Sequence, residues 1–103
     1  MTNAQYLDEL RRRLKNPAIE DQELLDTITA VQRDISVTLY SPAEYDAQVL
    51  DSACWRLMID KKFPEVGSIS ANGESISFSH GGIERLESII NSRRWAAMRN
   101  KFA

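Results

Sequence analysis

Between Gly67 and Gly82 the hydrophobic period of this chain changes from helical to two, and that change constrains the fold more than any other feature. Ile69 and Ala71 alternate with Ser68 and Ser70, and Ile76 and Phe78 alternate with Ser75, Ser77 and Ser79. Asn72-Gly73 separates the two runs, a dipeptide that readily takes positive φ at both centres of a type I′ turn. The spacing predicts a two-stranded β-hairpin with one apolar face and one face almost entirely of serine. A lone hairpin is marginal in water, so this one must lean on helices or pair with another chain.

Everything on either side reads as helix. Thr2 and Gln5 form a capping box, followed by Tyr6, Leu7, Leu10 and Leu14 at helical spacing, until Asn16-Pro17 breaks the run. A second helix starts between Ile19 and Asp21 and runs to about Tyr40, its stripe being Leu24, Ile28, Val31, Ile35 and Leu39. Ser41-Pro42-Ala43-Glu44 is a strong start signal, with Ser as N-cap, Pro at the first helical position and Glu three residues after the cap. The third helix runs from there to Phe63, where Pro64 stops it, and its broad stripe (Val49, Leu50, Ala53, Cys54, Leu57) makes it the centre of the domain. After the His80-Gly81-Gly82 joint, Ile83, Leu86, Ile89 and Ile90 open a fourth helix. The fold class expected is mainly α: a three- to four-helix bundle with a β-hairpin arm, about 67–82, inserted between helices 3 and 4, and a basic C-terminal helix or tail, about 83–103. A single domain over 1–103 suits this length. The expected core is Leu10, Leu24, Ile28, Val31, Val49, Ala53, Leu57 and Leu86.

Net charge is −2, which argues against a general attraction to nucleic acid or to an anionic membrane. The charge is unevenly spread: residues 1–52 carry ten acids and five bases, residues 53–103 five acids and eight bases. No acid follows Glu87, so Arg93, Arg94, Arg99 and Lys101 make a basic segment that also bears Trp95 and Phe102. Such a segment is either a docking tail, combining apolar anchors with long-range attraction, or an end that complements the helix dipole. Arg11-Arg12-Arg13 reads as a solvated last turn, because no aromatic residue or further base extends it. No apolar run reaches the length of a membrane span, and the first residues lack a secretory signal.

Little of the chain suggests catalysis. His80 is the only histidine, so no pair of imidazoles can hold a metal. Cys54 is the only cysteine and falls mid-helix among apolar residues, where an inert buried thiol is expected. The glycine pairs do not form a phosphate loop. Trp55 and Trp95 read as packing or interface anchors. The expectation is a non-enzymatic chain with no cofactor.

Taken in order, the short helix, the long helix opening Glu20-Asp21-Gln22-Glu23-Leu24-Leu25, Tyr40-Ser41-Pro42, the third helix ending Lys61-Lys62-Phe63-Pro64, the run Ile69–Phe78 and the closing basic helix resemble the small head–tail connector, or adaptor, proteins of tailed bacteriophages. In that family a helical bundle with an extended β arm assembles as a ring, typically dodecameric, beneath the portal. The resemblance implies a structural virion protein made in the bacterial cytoplasm. It would join the portal to a tail-completion or tail protein and let DNA pass its channel without sequence-specific binding. It also implies subunit contact through Ile69, Ile76 and Phe78, and portal docking through Arg93, Arg94, Trp95, Arg99 and Phe102. The alternative is a small helical DNA-binding or regulatory protein using Arg11-Arg13 or the basic C-terminal segment.

Overall fold

The computed structural model describes residues 1–14, 19–60, 68–71, 74–77 and 82–102. Four helices make up most of it: α1 (Asn3–Leu14), α2 (Asp21–Asp34), α3 (Pro42–Ile59) and α4 (Gly82–Phe102). The α1 capping box closes as its sequence demands, with the Thr2 amide donating to Gln5 Oε1 at 2.8 Å and the Gln5 amide to Thr2 Oγ1 at 3.2 Å. Ser41 caps α3 by accepting from the Glu44 amide, and its own hydroxyl donates to Glu44 Oε1 at 3.0 Å. Asp21 and Glu23 in the first turn of α2 meet the positive end of its dipole.

Packing follows the stripes. α1 buries Tyr6, Leu10 and Leu14, α2 buries Leu24, Ile28 and Val31, and α4 contributes Leu86, Ile89 and Ala97. α3 lies at the centre, buried along most of its length from Gln48 to Met58. All eight residues expected in the core are buried. A fully buried leucine such as Leu10, Leu24 or Leu57 stabilises the fold by roughly 1.5–3 kcal/mol relative to leaving it in water.

The expected fold class does not stand as drawn. Among the described residues the molecule has four helices, and no β-hairpin arm extends from between helices 3 and 4. Only two four-residue pieces are described there, β1 (Ser68–Ala71) and β2 (Glu74–Ser77), paired antiparallel with Ile69 opposite Ile76. β1 runs beside α1 and β2 beside α4, so the pieces lie on the chain's own helices. Four cross-strand pairs are too few to hold a free ribbon together, which is why they rest on the bundle. Asn72-Gly73, Phe78 and the His80-Gly81 joint lie outside the described residues.

Helix 2 also ends earlier than its stripe predicts. It stops at Asp34, and Ile35 turns extended, with φ −112° and ψ 121°. Val37 and Thr38, both β-branched, follow Ser36 in a turn closed by the Leu39 amide donating to the Ser36 carbonyl. The Ser36 and Thr38 hydroxyls, 3.1 Å apart, bond each other and compete with helix. Ile35 and Leu39 still face the bundle, but from a turn. α3 ends at Ile59 with Asp60 as its C-cap, and Phe63 and Pro64 lie outside the described residues.

Candidate interaction surface

A polar knot at the centre of the bundle fixes the helix that carries the candidate surface. Asp51 on α3 is 1% exposed. Its Oδ1 accepts from Arg13 Nη1 of α1 at 2.9 Å, and its Oδ2 accepts from Arg93 Nη1 of α4 at 2.8 Å. Gln48, one turn earlier on α3 and also buried, accepts from Arg93 at 2.8 Å through Oε1 and donates from Nε2 to the Ile90 carbonyl at 3.0 Å. A carboxylate this deep is tolerated because both oxygens meet charged donors. The knot ties α1, α3 and α4 at one point. Beside it lies Cys54, fully buried, whose thiol burial pushes up to about 12 against the pull of the Arg13 guanidinium.

Arg93 therefore belongs to the interior. Its side chain is only 13% exposed and is shared between Asp51 and Gln48, so it is not a free docking group. The sequence offered a signal for this. Gln48 and Asp51 stand three apart within a stripe that is apolar at 49, 50, 53 and 54, and buried polar residues there require partners from neighbouring helices.

The other basic residues expected to dock sit differently. Arg94, Trp95 and Arg99 are exposed, Trp95 at 64%. Lys101 is exposed, and Phe102 ends α4. The distal part of α4 thus presents an indole among cations. Of the run Arg11-Arg12-Arg13 only Arg13 turns into the bundle, to Asp51; Arg11 is half-buried and pairs with Asp21 at 2.6 Å, and Arg12 stays in solvent beside Glu9 at 3.2 Å. Each guanidinium has an acid of its own chain as partner, and Arg13, the deepest of the three, is taken up by Asp51. Of the residues expected to make subunit contact, Ile69 and Ile76 stand opposite each other in the strand pair beside α1 and α4, and Phe78 lies outside the described residues.

Alongside the proximal part of α4 runs a groove of about 500 Å³ between the end of α2, α3 and α4. Val31, Ile35, Leu39, Trp55 and Ile90 supply its apolar lining. Asp34, Arg56, Glu87 and Arg94 supply charge, two acids and two bases. Asp34 and Arg56 approach to 3.9 Å, both largely in solvent, where such a pair contributes little. Leu39 reaches this groove from the turn that follows α2.

Among the described residues no group of three or more His, Cys, Asp or Glu could hold a metal ion, and no helix is long and apolar enough to cross a membrane. Comparison with protein-family models, curated proteins and solved structures finds no match for the chain.

Proposed function

We propose that this chain is a structural adaptor of the head–tail connector kind, a virion subunit that forms a ring between the portal and the tail-completion protein and lets DNA pass. The observation that carries the reading is the distal end of α4. There Trp95 stands 64% exposed beside Arg94 and Arg99, with no acid after Glu87. An exposed tryptophan among cations is the composition of an interface anchor with electrostatic steering. Of Arg11, Arg12 and Arg13 only Arg12 is largely exposed, and each pairs with an acid of its own chain, so the DNA-binding alternative finds no continuous basic patch there.

In this reading Arg94, Trp95, Arg99 and Phe102 meet the portal, and Arg93 holds their helix in place from inside. The test is binding to the cognate portal ring by co-sedimentation. Arg99→Glu combined with Lys101→Glu reverses the distal charge without touching a buried residue. The proposal expects loss of portal binding with helix content unchanged by circular dichroism. Undiminished binding by this variant would overturn the docking assignment, and no binding by the wild-type chain would overturn the adaptor reading.

A further inference from the structure

The outer stripe of α4 has a charge order that matches its own reverse. Glu87, Asn91 and Arg94 are separated by four and three residues, so they lie on one helical face, and all three are exposed. An acid stands about one turn before Asn91 and a base about one turn after it. A second copy laid antiparallel about a two-fold axis through Asn91 places Glu87 opposite the partner's Arg94, and Arg94 opposite the partner's Glu87. Parallel alignment would set like charges together. An interface that a two-fold axis repeats on both sides needs this kind of self-complementary surface.

The same stripe holds an anchor next to a pocket. Trp95 follows Arg94 directly and is 64% exposed, while Glu87, Ile90, Asn91 and Arg94 form one wall of the groove. The groove, at about 500 Å³, falls in the range of sites that enclose a large apolar group. Trp55 lies in its lining, so an incoming indole would meet an aromatic partner as well as Ile90. The rim charges balance, two acids against two bases, which suits a copy of itself better than a strongly acidic or basic partner.

We infer that α4 pairs antiparallel with α4 of a second copy, with Trp95 of each chain seated in the groove of the other. This pair is the form of the chain before it joins a larger assembly. It rests on the adaptor reading only in requiring a protein partner. It is tested without any portal, so either can fail while the other holds.

Sedimentation velocity from micromolar to about 200 µM reads the association directly, over the range in which an interface of moderate affinity shows. The wild-type chain should pass from its 11.7 kDa monomer to a species of twice that mass. Trp95→Ala should weaken the pair by about 30-fold, as the loss of an anchor at an interface centre does. Glu87→Arg and Arg94→Glu should each be monomeric alone, and mixing the two should restore the pair, because the reversed charges then face each other correctly. Circular dichroism should show unchanged helix content for all three. A wild-type chain that stays at 11.7 kDa throughout overturns the inference. So does a dimer indifferent to these substitutions, or a mixture of the charge-reversed variants that fails to associate.

Discussion

Arg93 on α4 donates to Asp51 on α3 at 2.8 Å, and the second oxygen of that carboxylate is held by Arg13 of α1 at 2.9 Å. The residue that seemed from sequence to belong to an exposed basic patch is thus one of the ties that fix the patch-bearing helix. Removing the shared anion leaves two mostly buried guanidiniums without their partner. Asp51→Ala should cost about 3–5 kcal/mol, read from urea or thermal unfolding. Asp51→Asn, which keeps the shape and loses the charge, should fall between it and wild type. A loss below about 1 kcal/mol for Asp51→Ala would show that the knot contributes little.

Two truncations should separate the interior part of α4 from its outer end. Deleting residues 99–103 removes exposed Arg99, Asn100 and Lys101 and the chain beyond them, and should leave a cooperative, helical fold. Deleting residues 91–103 also removes Arg93 and buried Ala97, and should unfold the chain or lower its melting temperature severely. Circular dichroism melts of the two proteins give the comparison.

Cys54 makes a prediction about pH. An unfolded thiol titrates near 9, whereas burial holds the folded one to about 12. Below pH 9 the thiol is protonated in both states and its contribution is fully present. Between pH 9 and 12 the unfolded chain releases the proton and the folded chain keeps it, so stability falls as pH rises. The phenol of Tyr6, raised by burial and then by its hydrogen bond to Asp46, shifts in the same direction. Unfolding measured from pH 7 to 11 should show this loss, and Cys54→Ala should reduce its slope. Thiol reagents at pH 8 should label Cys54 only in denaturant.

Ser41→Ala tests the helix start that positions α3. The Ser41 hydroxyl accepts from the Glu44 amide and donates to its carboxylate. Its loss should cost about 1 kcal/mol, and Ser41→Asp should recover most of it. Chemical denaturation of the three proteins measures the difference.

The helices and the core were legible because their signals are local or periodic. The capping boxes at Thr2 and Ser41 and the spacing of Leu24, Ile28 and Val31 need no knowledge of the rest of the chain. What the sequence hid depends on distant partners. Ile35 and Leu39 continue the stripe of α2 perfectly well, yet Ser36, Val37 and Thr38 favour a turn, and it is from this turn that Leu39 lines the groove beside α4. Arg93 and Arg94 are adjacent and identical in type, and only the position of Asp51 across the bundle sends one inward and leaves the other outside. The alternation over 69–78 suggested an arm that the fold does not have; Ile69 stands opposite Ile76 in a pairing of two four-residue pieces. It did not say that the strands would be four residues long and rest on α1 and α4.

The proposed role makes this chain a building block that assembles on a portal. The measurement that addresses it most directly is the mass of the portal ring, by native mass spectrometry with electron microscopy, before and after addition of the purified chain. An adaptor should add a fixed whole number of 11.7 kDa units, arranged as a ring coaxial with the portal. A portal that gains no mass, under conditions where the added chain is folded, would contradict it.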